Sequence, residues 1–487
     1  MPRRSSVELD AETFRRLGHR AVDRLADLLA SLPSRPVTSG HDAAYLRDAL
    51  GQRPAPDDGA DPEQLLDEIT ALLIDHSLYN GHPRFMGYIT SSPAPLGSLA
   101  DLVAATVNPN CGSFSLSPVG TVIEEQAVAW MAELLGLPAS SAGLLVSGGN
   151  MANMVGFWAA RTAKASEQVR RDGLREEAAQ LVAYCSAETH TWIQKAADLS
   201  GIGTRAIRWV PVDGNQRMQV AALESQLRQD QAAGLQPFLV VGTAGTVGTG
   251  AVDPLPDIAR VCREHGLWFH VDGAYGAPAV LAAGAPPELA AMADADSLAF
   301  DPHKWLYAPL EAGCVFVRNP DALRAAFSYH PTYYHFDTGE RNPPPNFYEL
   351  GPQNSRGFRA LKVWVGIRQA GRKGYAESIG DDIRLARELF DRAAEHPELE
   401  AVTHNLSITT FRYVPPELDR RASDQHALDD LNERILTALQ RSGRAYVSNA
   451  VVDGRYVLRA CIVNFRTASE DLQMLLEAVV DIGRSLR

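Results

Sequence analysis

The sequence lacks the features that mark secreted, membrane-spanning and disulfide-linked proteins. It has no apolar run of about 18 residues, and its first residues, MPRRSSVELD, are basic without the apolar stretch of a secretory signal. It contains only five cysteines, which lie far apart without a C-x-x-C pair. These absences argue against a membrane span, a disulfide framework and a zinc site, and they predict buried reduced thiols in the cytoplasm.

Several enzyme motifs and an excess of positive charge are also missing. There is no H-E-x-x-H, G-x-S-x-G or Walker-type loop, which disfavours metallohydrolases, serine hydrolases and nucleotide hydrolases, and we predict no metal site. The GIGTRA run precedes a strand rather than following one, which disfavours a nicotinamide oxidoreductase. The net charge of −13 disfavours nucleic acid and membrane surfaces as partners.

What is present is the composition of an ordinary folded protein, with 45% hydrophobic and 22% charged residues. Two amphipathic helical patterns, at 9–32 and 63–76, precede any strand signal, and they predict an N-terminal helical arm over 1–95. Alternating strand and helix patterns predict a large α/β domain over 96–375, and we expect a smaller α+β domain over 376–487.

Seven short apolar runs in the large domain predict the strands of a mostly parallel sheet. They lie at 143–146, 181–184, 206–210, 238–241, 267–271, 297–300 and 314–317. The smaller domain has strand-like runs near 407–413 and 456–465. Because parallel α/β sheets bind ligands beyond the carboxyl ends of their strands, functional side chains are expected directly after the runs.

Two of these strand ends carry a carboxylate and an amine. The run WFHVDGAYG ends a strand on Asp272, and SLAFDPHKWLYAP places His303 and Lys304 after the next strand. Lys304 lies 32 positions after Asp272, which is room for one helix and one strand, so we expect both side chains above neighbouring strands. A strand-end Asp on its own is more often a helix cap or an ion-pair partner.

Two further strand ends add an anion site and an imidazole. In GLLVSGGNMAN, Gly148, Gly149 and Asn150 follow a strand and begin a helix, whose free backbone N–H groups suit a phosphate. His190 in SAETHTW follows another strand. A phosphate site, a carboxylate, a lysine and an imidazole together match pyridoxal 5'-phosphate (PLP). The lysine forms a Schiff base with its aldehyde, and the acid keeps its ring nitrogen protonated.

The motifs HVDGAYG, DPHKWL, VSGGNMAN, ETHTW and RGFRALKVW together resemble the group II PLP-dependent decarboxylases, the family of aromatic L-amino acid and glutamate decarboxylases. The similarity covers nearly the whole chain. It implies a PLP fold type I (aspartate aminotransferase-like) enzyme that is an obligate homodimer with active sites at the interface. It also implies an intertwined N-terminal arm and a mobile loop that reaches toward the neighbouring site.

The resemblance assigns roles to individual residues. Lys304 resembles the Schiff-base lysine, Asp272 the partner of the pyridine nitrogen, and His190 the imidazole stacked on the cofactor. The other expected cofactor contacts are Ala274 under the ring, Gly148, Gly149 and Asn150 at the phosphate turn, and Thr246, Asp301 and His303. Asp301 stands where many relatives have Asn, and an acid there is expected to bond water or backbone rather than the phosphate itself.

The loop before RGFRALKVW decides the expected product. In decarboxylases of this family a loop tyrosine protonates the substrate carbon, whereas relatives with phenylalanine release an aldehyde by oxygen-dependent decarboxylation and deamination. Counting back without gaps puts Phe347 on that position and Tyr348 beside it. Our hypothesis is that Tyr348 is the acid and that the product is an amine.

We therefore predict a cytoplasmic homodimer that decarboxylates an L-amino acid, with an aromatic substrate favoured. The alternatives are an aromatic aldehyde synthase on the same scaffold and a catalytically silent PLP-binding dimer. The residues expected to face the substrate are Thr90, Ser91, Phe114 and Phe347. With Ile89, Gly112 and Ser113 they form no aromatic-rich wall, and Arg84 is an unconvincing partner for an acidic substrate. Aliphatic and acidic substrates therefore stay open.

Overall fold

The structure, a computed structural model, describes residues 5–51, 54–174, 179–329, 344–416 and 425–486. Three helices form the N-terminal arm: α1 (Ala11–Ser31), α2 (Ala43–Leu50) and α3 (Pro62–His76). The two helices expected at 9–32 and 63–76 are confirmed. Asp10 and Asp61 accept backbone N–H groups at the starts of α1 and α3. Helix α2 escaped prediction because its 8 residues are too few to show a period.

Seven strands form the central sheet, and all seven expected runs are confirmed. They are β1 (Ala142–Val146), β2 (Leu181–Ser186), β3 (Ile207–Val210), β4 (Gln236–Thr243), β5 (Trp268–Asp272), β6 (Ser297–Phe300) and β7 (Gly313–Val317). Their order is β1-β7-β6-β5-β4-β2-β3. The pairs from β6 to β3 are parallel, but β7 is antiparallel to both β1 and β6. The short segment from 301 to 312 turns the chain back at the carboxyl end of β6, since it is too short to cross the sheet.

Helices cover both faces of this sheet, which is why its strands are apolar throughout. They are α4 (Pro95–Val107), α5 (Pro118–Leu134), α6 (Gly149–Lys164), α7 (Gln168–Asp172), α8 (Trp192–Leu199), α9 (Val220–Ala232), α10 (Leu255–His265), α11 (Pro302–Trp305), α12 (Asp321–Phe327) and α13 (Arg359–Glu395). Successive residues of β4 enter opposite cores. Val240 packs in the core with Phe269, whereas Leu239 and Val241 pack in the core with Phe157.

A second, antiparallel sheet lies in the C-terminal region. Its strands are β8 (Leu399–Asn405), β9 (Ile408–Tyr413), β10 (Ser448–Val452) and β11 (Arg455–Cys461), in the order β10-β11-β9-β8. Helices α14 (Gln425–Ser442) and α15 (Ser469–Ser485) pack with it. The runs near 407–413 and 456–465 correspond to β9 and β11. Strands β8 and β10 were missed because β8 is largely half-buried and β10 alternates buried and exposed residues, so neither has a continuous apolar run.

Helix α13 links the two sheets. It kinks at Gly371, whose φ of 64° lies in the left-handed region, and it continues to Glu395. The domain boundary expected between 375 and 376 therefore falls inside a helix, and the division stays a prediction. All five cysteines are buried and free, as expected. No helix in the described part of the chain is long and apolar enough to cross a membrane.

Candidate active site

The carboxyl ends of β5 and β6 bring Asp272 and the turn of Lys304 to the same edge of the sheet. The two strands are parallel neighbours, with Asp272 opposite Ala299. Directly after β6, Asp301 precedes α11, and its Oδ2 lies 3.0 Å from Lys304 Nζ. The carboxylate and the amine thus lie above neighbouring strands, as the spacing predicts.

Trp192 fixes the orientation of Asp272. Its indole Nε1 donates a hydrogen bond of 2.7 Å to Asp272 Oδ2, and the backbone N–H of Ala274 donates one of 3.2 Å to Oδ1. Trp192 is fully buried at the start of α8. Sequence analysis missed its role, although it stands two residues after His190 in the motif ETHTW. The indole therefore joins the end of β5 to the segment that carries His190.

His190 belongs to the same electrostatic environment. Desolvation lowers the pKa of its imidazole, Lys304 and Lys195 lower it further, and Asp272 and Asp301 oppose the change. Its Nδ1 accepts a hydrogen bond of 3.2 Å from the backbone N–H of Trp192. The ring is therefore neutral at neutral pH, which suits an imidazole that stacks on another flat ring.

The start of α6 meets Asp301 and Ala274 closely. A Cβ atom added to Gly149 would lie 2.5 Å from Asp301 Oδ2 and 3.2 Å from Ala274 Cβ, so only glycine fits there. Gly148 has a φ of +93°, which favours glycine on conformational grounds. No side chain caps α6, and Asn150 is exposed in its first turn. The first N–H groups of this helix therefore lack intrahelical partners and are available to an anion.

Asp301 is incompletely partnered. Its Oδ2 binds Lys304 and lies 3.9 Å from His303 Nε2, but its buried Oδ1 has no hydrogen-bond partner among the described residues. Buried polar atoms are normally paired, so an unpaired acceptor marks this turn as unusual within the fold. An uncapped helix start, an amine and a fixed carboxylate are the groups that PLP requires, and the residues present fit it.

A buried hydrogen-bond chain supports the phosphate turn from below. Trp268 Nε1 donates to Ser297 Oγ at 2.8 Å, and Ser297 Oγ lies 2.7 Å from His270 Nδ1. His270 Nε2 lies 2.7 Å from Asn153 Oδ1, and Asn153 Nδ2 donates to Gly149 O at 2.9 Å. Burial lowers the pKa of His270 to about 4, so the ring is neutral. Sequence analysis missed this chain because His270 stands inside an apolar strand.

The turn that carries Lys304 is tied to residues near 90. Ser91 Oγ donates a hydrogen bond of 2.7 Å to His303 O, and His303 Nδ1 lies 2.7 Å from Ala312 O. Thr90 is half-buried beside Ser91. Ser91 is therefore brought to this turn, but its hydroxyl is already used by a backbone carbonyl.

A cavity of about 370 Å³ lies between α1 and the segment 303–310, and Ser91, His303 and Arg466 line it. Arg466 stacks on Phe465 at 4.5 Å and hydrogen-bonds Ser92 Oγ. No carboxylate of the described ranges lies within ion-pair distance of it, and desolvation lowers the pKa of its guanidinium. Sequence analysis gave Arg466 no role because it lies 162 residues after Lys304, although the run YVLRACIVNFRT that contains it is part of the family resemblance.

Other expected residues contact the segments that carry Arg356 and Gly112. Phe347 is 2% exposed, and its ring lies 4.8 Å beneath the guanidinium of Arg356, which pairs with buried Glu124. The backbone N–H of Tyr348 donates to Gly112 O at 3.0 Å, on the turn that also carries half-buried Phe114. Residues 330–343 of the expected mobile loop lie outside the described residues. Phe347 is thus enclosed by protein, whereas Tyr348 is half-buried.

Thr246 and Arg84 are also engaged elsewhere. Thr246 is fully buried, and its Oγ1 lies 3.1 Å from Thr249 Oγ1 and accepts from Ala251 N at 3.2 Å. Arg84 Nε donates to Arg444 O at 2.7 Å. The Thr246 hydroxyl is therefore used within its own loop, and Arg84 is held by the C-terminal region.

Known proteins match this chain along most of its length. The pyridoxal-dependent decarboxylase conserved domain matches residues 45–414. Aromatic-L-amino-acid decarboxylase of Bacillus atrophaeus is 33% identical over 472 residues, 97% of this chain and 95% of that protein. Phenylacetaldehyde synthase of Arabidopsis thaliana is 28% identical over 463 residues, 93% of this chain and 92% of that protein.

The crystal structure of Oryza sativa TDC with PLP and tryptamine has a TM-score of 0.91 to this fold at 27% identity, and the match covers 99% of this chain and 100% of that one. The matches confirm the predicted fold class, the cofactor and the reaction type. The chain belongs to the pyridoxal-dependent decarboxylase family and is a PLP-dependent amino acid decarboxylase.

Proposed function

We propose that this decarboxylase converts an aromatic L-amino acid to the corresponding amine and CO2 at the carboxyl ends of β5 and β6, with Lys304 as the residue joined to PLP. One observation carries the proposal. Asp272 fixed by Trp192 and Lys304 paired with Asp301 follow neighbouring strands, and the uncapped start of α6 lies against Asp301 and Ala274. The aromatic substrate is supported by the names of relatives such as the Bacillus atrophaeus enzyme.

The experiment that tests the assignment is borohydride trapping of the holoenzyme followed by peptide mapping. We expect the adduct on Lys304, loss of turnover in Lys304→Ala, and normal turnover in Lys373→Ala, a control at an exposed lysine on α13. A panel of amino acids with product identification by mass then identifies the substrate. An adduct on another lysine would refute the assignment.

When bound, PLP supplies an aldehyde that bonds to amines and a cationic ring that takes up the electrons released at Cα. Asp272, fixed by two donors, is assigned to hold the proton on the ring nitrogen. The first N–H groups of α6, in the turn of Gly148, Gly149 and Asn150, would hold the phosphate. Neutral His190 would stack on the ring, and Ala274 would leave room beneath it. The roles of Thr246, Asp301 and His303 as contacts stay proposals.

We assign the substrate carboxylate to Arg466, with Thr90 and Ser91 on the wall nearby. Arg466 is a desolvated cation on the cavity that His303 also lines, and a carboxylate ligand would give it the counter-charge that it lacks among the described residues. Arg466→Lys is expected to raise KM by about tenfold, because the bidentate hydrogen bonds of the guanidinium are lost. An unchanged KM would move the carboxylate to another group.

We keep Tyr348 as the acid that returns a proton to Cα. Of the two residues considered, Phe347 is buried under Arg356, and Tyr348 is half-buried with a hydroxyl. Tyr348→Phe is expected to lose amine formation and to gain ammonia and peroxide. If amine formation is unchanged, the acid is another residue, and Tyr333 and Tyr334, outside the described ranges, are the next tyrosines to replace.

We further propose a homodimer in which the N-terminal arm covers a second copy. Arginines of α1 pair with carboxylates of α3, for example Arg24 with Asp67 at 3.1 Å. The charges between these two helices are therefore paired within the arm. The arm and α4 also expose large apolar side chains in the single chain: Phe14, Val22, Leu25, Leu29, Leu65, Ile69, Leu73, Leu99, Leu102, Val103 and Val107. Such a surface is typical of an interface. Light scattering at increasing dilution tests it, and a monomer with full activity would refute it.

The second candidate is an aromatic aldehyde synthase, favoured by the match to phenylacetaldehyde synthase. Stoichiometric ammonia and peroxide from the wild-type enzyme would establish it, whereas an amine product alone would exclude it. We also propose that the enzyme acts in the cytoplasm, where its five free thiols would stay reduced. Recovery of the activity in a membrane or secreted fraction would contradict this.

A further inference from the structure

We propose that Asp382 on α13 is a positioning residue for Lys304, and that its carboxylate holds the turn after the lysine through Trp305 and Tyr307. The inference rests on the proposed role of Lys304. It adds a residue that lies 78 positions further along the chain and belongs to no motif identified in the sequence.

Two side chains next to Lys304 donate to one oxygen of Asp382. Trp305 Nε1 donates to Oδ2 at 2.8 Å, and Tyr307 OH donates to the same atom at 2.7 Å. Asp382 is 1% exposed, so water does not compete for these bonds. The carboxylate therefore binds the side chains one and three positions after the lysine, those of Trp305 and Tyr307.

The turn itself needs such support. The backbone N–H of Tyr307 donates to Lys304 O at 3.1 Å, and Tyr307 has a φ of 54°, a left-handed conformation that tyrosine rarely adopts. Trp305 is fully buried and stacks on Tyr275 with ring centroids 4.9 Å apart. The hydroxyl bond to Asp382 holds Tyr307 in this strained conformation, and the strain is stored one turn from the reacting amine.

The other oxygen of Asp382 faces the segment of Arg466. The backbone N–H of Asn464 donates to Oδ1 at 3.4 Å, and Asn464 Nδ2 donates to His82 O at 2.8 Å. One carboxylate thus connects the turn of Lys304 with the segment assigned to bind the substrate carboxylate. A change at Asp382 is expected to displace both.

The charge of Asp382 lacks a cationic partner. The titratable groups that face it are Tyr307, Cys461 on β11 and Asp381 on its own helix, while Tyr375 contacts the same turn through a bond of 3.3 Å to Leu306 O. Among the described residues no lysine or arginine pairs with it. Burial raises the pKa of Asp382 to about 7, and the bonds from Tyr307 and Trp305 oppose the shift. The carboxylate is therefore a negative charge against Trp305 and Tyr307, on the turn that follows Lys304, above about pH 7.

The test compares Asp382→Asn and Asp382→Leu with Asp230→Asn. Asp230 is a matched control, because it is buried and accepts a tyrosine hydroxyl, that of Tyr184 at 2.7 Å, at the opposite edge of the sheet. The readouts are the Kd of the apoprotein for PLP, the pH midpoint of the visible absorbance of the bound cofactor, and kcat and KM. Tyr307→Phe and Trp305→Phe remove one donor each with Asp382 intact.

Asp382→Asn is expected to lower the pH midpoint, because the amide removes a negative charge that favours a proton nearby. Asp382→Leu is expected to lower kcat by about 10²-fold, as misplacing a reacting group does. Tyr307→Phe is expected to give part of this loss of kcat. Combined with Asp382→Leu in one double variant, it is expected to lower kcat little further.

An unchanged pH midpoint in Asp382→Asn together with a wild-type kcat in Asp382→Leu would overturn the inference. A shift of the same size in Asp230→Asn would overturn it too. If the Asp382 variants do not fold, Tyr307→Phe and Trp305→Phe test the inference in their place. A wild-type pH midpoint and a wild-type kcat in both of them would also refute it. Peptide mapping of the wild-type adduct tests Lys304 separately, so failure of the proposed function is distinguishable.

Discussion

Two buried carboxylates of the large domain, Asp230 at one edge of the sheet and Asp301 at its carboxyl end, are partnered very differently. Asp230 accepts from Tyr184 OH at 2.7 Å, Arg208 Nε at 2.9 Å and Gln226 Nε2 at 3.2 Å. Asp301 binds Lys304 through one oxygen, and its other oxygen has no partner among the described residues.

The difference separates structural from functional polar groups. Folding satisfies Asp230 completely, so its surroundings need nothing from outside the chain. The described residues leave Asp301 Oδ1 and the first N–H groups of α6 without partners, and a bound anion would satisfy the N–H groups but not the carboxylate oxygen. Replacing the acid at Asp230 should therefore lower the free energy of unfolding. Replacing an acid near Asp301 should instead change the chemistry of the cofactor.

The largest effect is expected at Asp272, which shares the crevice with Asp301. In Asp272→Asn the amide can still accept from Trp192 but can no longer hold a proton on a pyridine nitrogen. We expect kcat to fall by about 10²–10⁴-fold, the range of a general acid or base contribution, with little change in unfolding free energy. Steady-state kinetics and denaturant unfolding measure the two quantities.

Asp230→Asn is the matched control for Asp272→Asn. It is expected to lose about 1–3 kcal/mol of stability, because the amide removes the charge that pairs with Arg208 and places an NH2 group where Gln226 Nε2 needs an acceptor, while kcat stays near the wild-type value. If both variants lost stability and neither lost kcat, the distinction between the two regions would be wrong.

The second effect concerns the support beneath the phosphate turn. Burial lowers the pKa of His270 to about 4, so the folded protein keeps this ring neutral where the unfolded chain protonates it. Its contribution is complete above pH 6.5 and is lost as the pH falls from 6.5 towards 4. A shift of this size corresponds to about 3 kcal/mol.

His270→Gln is expected to flatten this dependence, since an amide does not titrate and can still reach Asn153. Urea unfolding between pH 4 and pH 7 measures it, with His426→Gln, an exposed histidine on α14, as the control. Wild type and His270→Gln with parallel stability curves would show that His270 does not set the acid response.

Much of this site could be predicted because its parts are local patterns. Asp272 and Lys304 each follow a short apolar run, and the rule that ligands bind at the carboxyl ends of parallel strands needs only the order of those runs. The parallel pairing of β5 with β6 then brings the two residues to one edge, with no information from distant segments.

The rest depends on contacts between segments far apart in the chain. Trp192 reaches Asp272 across 80 residues, and Asn464 reaches Asp382 across 82. No period or motif encodes such a pair, because each residue alone is an ordinary buried side chain. The same reason explains Phe347, since an ungapped count gives its order in the chain but not its burial under Arg356.

The smallest expected effect tests the unpaired oxygen itself. Asp301→Asn replaces Oδ1 or Oδ2 by an amide nitrogen, which removes one negative charge beside the start of α6 and supplies a donor. We expect the apoprotein to bind PLP about tenfold more tightly, as relief of one close like-charge contact allows. Asp301→Ala removes the charge without supplying a donor, so its gain should be smaller.

Binding of pyridoxal, which has no phosphate, separates two causes of this gain in affinity: repulsion between Asp301 and the phosphate, and an effect of Asp301 on Lys304. If the free oxygen of Asp301 faces the phosphate, the gain of Asp301→Asn appears with PLP and disappears with pyridoxal, because only PLP carries the charge that an acid repels. An equal gain with both ligands would mean that Asp301 acts through the amine of Lys304, 3.0 Å away, rather than at the phosphate. The contrast between Asp230 and Asp301 would then reflect the paired lysine alone and not an acid that faces the bound phosphate.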